Sequence, residues 1–367
     1  MKIVIIGAGV AGLATGWRLA QSGASVTVLE RAQPGRGATW AAAGMIAPVG
    51  EGRGDAPEFG RWSAGLWPEF AAQIEEQSGT AIGYSRCGAL LIARDGEEAE
   101  QLAARAQADA ELELLNAPQA LAMEPMLSPM ISGALWASGE AQVDSRALGP
   151  ALARAFVRVG GTLQLNEAVV RMDVANNRAV SARTPFAHYE ADAFVLASGA
   201  WTSRIEGIPP DVLPTITPVK GEMIAFAAPL GSAMPNHVVW GNEVYLVPRR
   251  RRVLVGATVA EAGYDTSLTY EATDWLSRHA FDVMPALKDW PIDEHWAGLR
   301  PGSPDGFPLL GPTALEGLFL ASGQYRNGIL FAPAVAEVMR RTLLEGALPA
   351  EFAAFDPRRV LAQALRS

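Results

Sequence analysis

The chain has 367 residues, of which 49% are hydrophobic and 19% are charged. It is too long for one ordinary core, so we expect one large or two interleaved domains and a well-buried globular protein. The net charge of −9, without a long basic run, disfavours nucleic-acid binding, because phosphate neutralisation needs clustered lysine and arginine.

Cysteine and histidine are too few and too scattered for a disulfide or metal scaffold. The single cysteine, Cys87, excludes intramolecular disulfides, and we expect it to be a small core residue. The four histidines lie far apart, with no pair at metal-ligand spacing on one helix, so we expect no metal. Cysteine usage fits a reducing compartment, and we predict a cytoplasmic protein. No stretch holds 18 uninterrupted apolar residues, so we expect no membrane span.

The first thirty residues predict a strand, a glycine loop, a helix and a second strand. Lys2–Ile6 is a short β-branched run, and GAGVAG at 7–12 follows at once. An apolar-periodic helix runs from Leu13 to about Ser22, and Ser25–Leu29 is a strand that ends in Glu30. The basic, apolar start also resembles a secretory signal, but the glycines of the loop fit that interpretation poorly. The unit has the pattern of a βαβ dinucleotide-binding fold.

Each glycine of this loop has its own role in the pattern. Gly7 permits the tight turn, Gly9 lets the backbone approach a diphosphate, and Gly12 lets helix and strand pack closely. The diphosphate would lie at the helix N-terminus, where free N–H groups and the helix dipole favour an anion. Glu30 would accept hydrogen bonds from a ribose hydroxyl, and its charge disfavours the 2′-phosphate of NADP. The pattern alone does not separate NAD from FAD.

The segment GRGATWAAAGMIAP, residues 35–48, favours FAD. After the ribose-binding acid an NAD enzyme usually continues into another βα unit, whereas this segment has almost no bulky side chain before Trp40 and Met45. Small residues around Thr39 let backbone amides approach a ligand closely. A small-residue helix packed in the core is the alternative that this segment leaves open.

Three later segments extend the dinucleotide-binding part. Ala193–Ser198 is a buried strand closed by Gly-Ala-Trp at 199–201, which suits the adenosine half of a dinucleotide. Residues 161–172 predict a strand pair, with Val169 placed to meet an adenine edge through its backbone. Gly317–Ser322 is another buried strand, which we expect to close the sheet beside the first strand.

The polar loop GQYRNG at 323–328 precedes an amphipathic helix. One interpretation is a solvated loop, and the other is that Arg326 and the amides after it face an anion. A helix that begins near Gly328 would point its positive end at such a group.

Four further strands are predicted at Tyr84–Ala93, Glu222–Phe226, Val244–Pro248 and Val253–Ala257. The last two are joined by the basic cluster Arg249–Arg252, which we expect to be a solvated hairpin turn rather than a phosphate site. These strands would build a second, antiparallel unit.

Several motifs follow one another in a fixed order over most of the chain. They are GAGVAG with Glu30, ATWAAAGMIAP, ASGAWTS, PVKGE at 218–222, VYLVPR at 244–249, WAGLRPGSPDGFPLLG at 296–311 and GQYRNGILFAP. Together they resemble the D-amino-acid oxidase family of FAD-dependent amine oxidoreductases, and within it the glycine oxidases. The first motif is shared by many flavoproteins, whereas the last two are far more specific.

The resemblance implies an α/β fold with two domains. One is a Rossmann-like, doubly wound FAD-binding domain, and the other is an antiparallel-sheet α+β substrate domain set over the flavin. We predict that residues 1–80, 149–215 and 293–367 form the discontinuous FAD-binding domain. Residues 81–148 and 216–292 would then form the substrate-binding domain.

The resemblance also assigns roles to three polar side chains. Arg300 matches the family's substrate arginine, which would form a bidentate pair with an amino-acid carboxylate; a buried structural ion pair is the alternative. Tyr245 matches a hydroxyl that helps to bind the same carboxylate, and a core tyrosine is the alternative. Arg326 would contact the substrate while residues 324–330 run along the pyrimidine end of the isoalloxazine.

A larger set of residues would bind FAD. Gln324 and Tyr325 stand where some relatives have a histidine and another aromatic residue. Since no cysteine lies in the C-terminal half, we expect the flavin to be held non-covalently. The predicted FAD-binding residues are Gly7, Gly9, Val10, Ala11, Gly12, Glu30, Arg31, Ala38, Thr39, Ala43, Gly44, Met45, Val169, Gly199, Gln324, Tyr325, Arg326, Asn327, Gly328, Ile329 and Leu330.

The activity that the resemblance implies is oxidative deamination of glycine, sarcosine or small D-amino acids. Hydride loss from a deprotonated amine to FAD needs no acid–base pair, and the products are an imine or 2-oxo acid, ammonia and hydrogen peroxide, in service of thiamine thiazole synthesis. Within this class the alternative is a D-amino-acid dehydrogenase that passes electrons to a non-oxygen acceptor. An NAD-dependent dehydrogenase and a non-catalytic flavin-binding subunit are alternatives from other classes, and Arg300 with Tyr245 argues against the last. Relatives often form tetramers, so the resemblance extends to a homo-oligomer.

Overall fold

A computed structural model of the protein describes residues 1–49 and 57–364. In chain order, the strands of the described residues are β1 (Lys2–Ile6), β2 (Ser25–Glu30), β3 (Met45–Ile46), β4 (Ala89–Ala93), β5 (Leu112–Asn116), β6 (Gly133–Ala137), β7 (Ala141–Gln142), β8 (Thr162–Leu165), β9 (Arg171–Ala175), β10 (Arg178–Arg183), β11 (His188–Glu190), β12 (Ala193–Leu196), β13 (Thr217–Ala227), β14 (Val238–Gly241), β15 (Val244–Arg249), β16 (Arg252–Gly256), β17 (Ile292–Gly302), β18 (Leu309–Pro312) and β19 (Leu318–Ser322).

The helices of the same residues are α1 (Val10–Gln21), α2 (Ala38–Ala41), α3 (Pro57–Ser78), α4 (Gly96–Ala108), α5 (Ala117–Met123), α6 (Ser145–Arg158), α7 (Tyr270–Val283), α8 (Ala332–Glu345) and α9 (Arg358–Ala364), with short 3₁₀ helices at Gly199–Arg204, Pro285–Asp289 and Ala350–Phe355. None of these helices combines the length and the apolar character that a membrane span requires. The predicted FAD-binding domain also includes residues 50–56 and 365–367, which lie outside the described part of the chain.

A six-stranded sheet with the order β18-β19-β12-β1-β2-β8 contains the predicted βαβ unit. Its strands are parallel except for the edge strand β18, which runs antiparallel to β19. Strand β1 is apolar and buried from Ile3 to Ile6 because both faces of the sheet are covered. Ile3 and Ile5 pack among α1, α3, α6 and α8 on one face, and Val4 and Ile6 pack on the other face toward the three-stranded sheet β11-β10-β9.

The predicted position of the last buried strand in this sheet is wrong. Strand β19 pairs with β12, and β12 in turn pairs with β1, so β19 is separated from the first strand by one strand. Buried parallel strands share one composition, so their apolar runs reveal that a strand exists but not its neighbours.

An eight-stranded sheet with the order β17-β13-β16-β15-β14-β4-β6-β5 forms the second unit. Its neighbours are antiparallel except for the β14–β4 pair. One face packs against α5 and α7. The other face packs against Ala41, Ala43 and Met45, which belong to the small-residue segment after β2.

Two predicted domain limits fall inside elements of the structure. Strand β17 starts at Ile292, next to the predicted limit at 293, yet it pairs with β13 in the eight-stranded sheet. Helix α6 starts at Ser145, before the limit at 149, and packs against α1 and α3. The division of the chain into domains stays a prediction.

The basic hairpin and helix α8, which follows the polar loop, both differ in detail from expectation. Strands β15 and β16 form the predicted hairpin, but Arg249 is turned inward with its side chain only 15% exposed, so it is not a solvated turn residue. Helix α8 begins at Ala332 rather than near Gly328. Pro333 in its first turn has a backbone already set for a helix start, whereas residues 327–331 form turns in which Phe331 N–H donates to the Asn327 carbonyl.

Candidate functional site

The three glycines of the first loop differ in what surrounds them. Gly7 has a φ of 109°, and a Cβ built on it would lie 2.6 Å from the Ala197 carbonyl oxygen. A Cβ on Gly12 would overlap the carbonyl of Gly7. A Cβ on Gly9 would meet only the hydroxyl of Thr39, at 3.6 Å. The fold therefore needs Gly7 and Gly12 for its own packing, whereas it leaves space beside Gly9.

Two side chains fix the start of α1. The Glu30 carboxylate accepts hydrogen bonds from the N–H groups of Ala8 (2.8 Å) and Ala32 (3.0 Å). The Thr39 hydroxyl accepts one from Val10 N–H at 2.9 Å. Glu30 thus lies at the carboxyl end of β2 beside the glycine loop, where the ribose of a dinucleotide on that loop belongs.

The residues predicted for the adenosine end surround the ends of β2 and β12. Arg31 places its Cζ 4.0 Å from the ring centroid of Trp201, in the 3₁₀ helix that starts at Gly199. Gly199 has a φ of 56°, and nothing lies within 4 Å of a Cβ built there. Val169 is half-buried and packs on the same cluster as Leu29 of β2.

The small-residue segment after Thr39 is not a long core helix. It forms the single-turn α2, in which Ala38 is exposed, and then the short strand β3 that starts at Met45. Ala43 and Gly44 between them are buried, and within residues 1–49 and 57–364 no hydrogen-bond acceptor is recorded for their backbone N–H groups. Because a buried N–H without a partner costs free energy, this segment fits a ligand that offers an acceptor.

The polar loop before α8 also contains buried groups without partners. Gln324 Nε2, a donor, and Asn327 Oδ1, an acceptor, are buried and lack a hydrogen-bond partner among the described residues. Gly328 is half-buried, and Ile329 and Leu330 pack in the core. A ring edge that carries both donors and acceptors, such as a flavin pyrimidine, would satisfy both side chains.

Arg300 lies on β17 without an acidic partner. Its Nη1 donates to the carbonyl oxygens of Thr258 (3.1 Å) and Lys220 (3.3 Å). A Cβ on Gly221 of the neighbouring strand would overlap the guanidinium. In the described part of the chain no carboxylate lies within 4.0 Å of it, so the alternative of a structural ion pair does not fit. Its recorded partners in that part of the chain are neutral carbonyl groups, so its charge is not balanced by a carboxylate there.

Tyr245 and Arg300 extend over the same strand. The Tyr245 ring lies over Gly256 of β16, and its hydroxyl lies 3.7 Å from the sulfur of Met223 on β13. The strand register places Met223 two residues from Gly221, on the same face and about 7 Å away. The hydroxyl and the guanidinium therefore converge over β13 from opposite sides.

Arg326 belongs to the polar loop, whose backbone contacts β17. Tyr325, with a φ of 48°, donates its N–H to the carbonyl of Pro301 at 3.0 Å, next to Arg300. Arg326 is exposed, and its Cζ lies 5.7 Å from the Tyr325 ring centroid. The backbone next to Arg326 is thus bonded to β17 beside Arg300.

Sequence reasoning missed a buried charge network on the far face of β13. Glu222 Oε1 lies 3.0 Å from Lys220 Nζ, and Oε2 lies 2.9 Å from His295 Nε2. Burial raises the pKa of the Glu222 carboxyl, but hydrogen bonds from Thr269 and Lys220 outweigh it and hold that pKa below its ordinary value. The signal was present in PVKGE, where two opposite charges alternate within a strand. These contacts hold β13, the strand over which the Arg300 side chain lies.

The fold and these residues define a protein with a dinucleotide-binding βαβ unit and with an arginine and a tyrosine side chain that extend over β13. Residues 2–342 match the family model described as FAD dependent oxidoreductase. The chain is 32% identical over 353 residues to a glycine oxidase of Pseudomonas putida, with 95% of each chain covered. The crystal structure of glycine oxidase from Geobacillus kaustophilus matches with a TM-score of 0.89 and 31% identity, covering 97% of both chains.

The chain therefore belongs to the family of FAD-dependent oxidoreductases, and its cofactor is FAD. It is also 33% identical over 370 aligned positions to the bifunctional protein ThiO/ThiG of Synechocystis sp., with 98% of this chain covered. The chain spans about half, 54%, of the length of that relative. The space beside Gly9, the buried N–H groups of Ala43 and Gly44, and the polar atoms of Gln324 and Asn327 all fit FAD.

Proposed function

We propose that the protein oxidises glycine and other small amines, including sarcosine and small D-amino acids. For glycine the net reaction consumes oxygen and water and gives glyoxylate, ammonia and hydrogen peroxide. The observation that carries this proposal is Arg300, a half-buried guanidinium whose partners are carbonyl oxygens, converging with the Tyr245 hydroxyl. The similarity of the chain to glycine oxidases over most of its length supports the same substrate class.

The side chains of the site would bind and orient the substrate. Bound FAD supplies the hydride acceptor. Arg300 presents N–H donors in a fixed fork that matches a carboxylate, and Tyr245 adds a hydroxyl donor to the same group. Arg326 adds positive charge at the exposed end of the site. An amine that arrives deprotonated needs no further base from the protein.

The similarity to the ThiO/ThiG protein supports a pathway context. We propose that the oxidised glycine product serves the synthesis of the thiamine thiazole ring. A small imine or aldehyde is a reactive intermediate, so a neighbouring enzyme that consumes it would draw the reaction forward.

Product analysis in air tests this function. The FAD-loaded protein is given glycine, sarcosine or D-alanine, and peroxide, 2-oxo acid and consumed oxygen are measured together. We expect one peroxide per 2-oxo acid formed. Turnover that occurs only with an artificial electron acceptor, without peroxide, would instead identify a dehydrogenase. No turnover of any of the three would refute the proposed substrate class.

A further inference from the structure

Four consecutive carbonyl oxygens of the segment after Thr39 are held by four different donors. The carbonyl of Ala41 accepts from Trp296 Nε1 (2.9 Å), that of Ala42 from Ser145 Oγ (2.6 Å), that of Ala43 from Arg249 Nη2 (2.8 Å), and that of Gly44 from Val143 N–H (2.8 Å). These donors belong to β17, α6, β15 and the residues after β7. The segment is thus held by both large units of the fold.

A fixed carbonyl also fixes the N–H group that follows it. In a planar trans peptide the C=O of one residue and the N–H of the next point in opposite directions. Ser145 therefore sets the direction of the Ala43 N–H, and Arg249 sets that of the Gly44 N–H. Both N–H groups are directed away from these donors, and both are buried.

Arg249 is the charged member of the four donors and is expensive to bury. Its Nη1 lies 3.4 Å from Asp144 Oδ1, and its Nη2 also donates to Gln142 Oε1 at 3.2 Å. Burial lowers the pKa of its guanidinium, against the attraction of Asp144. The next two residues of the hairpin, Arg250 and Arg251, are exposed. Solubility therefore does not explain the inward position of Arg249, because a charge that serves solubility lies in solvent.

The strand that carries Arg249 also carries Tyr245. The two residues are four apart on β15, so their side chains extend from the same face of the sheet. One strand thus contributes to the substrate side through Tyr245 and to the cofactor segment through Arg249.

We propose that Arg249 is a positioning residue for FAD, which holds the Ala43–Gly44 peptide so that the Gly44 N–H, next to the Ala43 N–H that Ser145 directs, binds an acceptor atom of the isoalloxazine. This inference rests on the proposed placement of the segment in the FAD site. Arg249 would hold the Ala43–Gly44 peptide in this orientation already in the FAD-free protein.

The first test compares FAD affinity among variants of one hairpin. Arg249→Met should raise the FAD dissociation constant about tenfold or more, because it removes a charged hydrogen bond from a buried carbonyl. Arg249→Lys should recover part of the affinity. The matched control is Arg251→Met, which removes a guanidinium that donates to the carbonyls of Ala228 and Pro229 at the surface, and it should leave the affinity unchanged.

A second pair of variants separates positioning from charge and from folding. Arg249→Met with Asp144→Asn restores the charge balance, and its FAD affinity should stay low. Ser145→Ala removes the donor to Ala42 without any change of charge, and it should weaken FAD binding in the same direction. A double variant with wild-type affinity would overturn the proposal, since the single loss would then come from an unpaired Asp144.

Hydrogen exchange in the FAD-free protein gives a readout that needs no activity. The peptide that covers Ala42–Ile46 should exchange faster in Arg249→Met than in Arg251→Met. Equal exchange together with equal FAD affinity in these two variants would overturn the positioning role while the proposed function stands. A wild-type protein that binds no FAD would contradict both the positioning role and the proposed function.

Discussion

The cofactor side and the substrate side of the candidate site are formed by different kinds of chain segment. On the cofactor side, the loop residues 7–12 are adjacent in sequence, and we propose that their backbone atoms bind FAD, which requires that Gly9 have no side chain. On the substrate side, Arg300 and Tyr245 come from strands more than fifty residues apart in sequence and meet only because β13 and β16 lie between them. The glycine loop therefore depends on local conformation, and the substrate side depends on strand register.

The largest expected effect is on the cofactor side. Gly9→Val should abolish FAD binding while the FAD-free protein keeps its melting temperature, because Gly9 has an ordinary φ of −73° and no close protein neighbour. Gly12→Ala should instead destabilise the FAD-free protein, since its Cβ overlaps the Gly7 carbonyl. Flavin absorbance after gel filtration and thermal unfolding followed by circular dichroism measure the two effects. A Gly9→Val protein that retains a full complement of FAD would contradict the role of this loop.

The substrate side should respond without any change in the cofactor. Arg300→Met should raise KM for glycine about 100-fold, because a bidentate, charge-assisted pair with the carboxylate is lost. Flavin content should stay at the wild-type level. Arg278→Met is a matched control, since Arg278 is an exposed arginine of α7 paired with Asp274. Equal KM values in the two variants would show that Arg300 does not bind the carboxylate.

A smaller effect is expected at the partner of Arg300. Tyr245→Phe should raise KM for glycine about tenfold, which is the loss of one hydrogen bond to a charged group. The phenylalanine ring keeps its place over Gly256, so FAD affinity and melting temperature should hold. Steady-state kinetics checks this value, and an unchanged KM would make Tyr245 a packing residue.

The buried network of Lys220, Glu222 and His295 should affect substrate binding least, and its loss should instead change stability. Because the folded pKa of Glu222 is lowered, its contribution to stability is present above its unfolded pKa of about 4.3 and is lost as pH falls through the folded value. Glu222→Gln should therefore lower the melting temperature at pH 7, where Lys220 would stay buried without its carboxylate. The difference from wild type should shrink as pH falls below about 4, and a difference that is independent of pH would contradict the assignment.

How far the sequence predicts the structure also differs between the two sides. Strands β1 and β2 and the helix between them fall within a few residues of expectation, because apolar periodicity and the glycine spacing are local signals. The inward turn of Arg249 and the pairing of β19 with β12 depend on contacts between distant segments, which no local pattern contains. A sequence motif predicts a role for Arg300, but the absence of a carboxylate beside it in the described part of the chain is visible only once Gly221 and Thr258 are placed next to it.

The central claim is that a carboxylate bound by Arg300 places a small amine against bound FAD. Its most direct test is the addition of glycine to the FAD-loaded protein without oxygen, followed at the absorbance band of the oxidised flavin. We expect bleaching that saturates with glycine in the wild type, and bleaching only at far higher glycine in Arg300→Met with the same flavin content. A wild-type flavin that stays oxidised with glycine, sarcosine and D-alanine would contradict it.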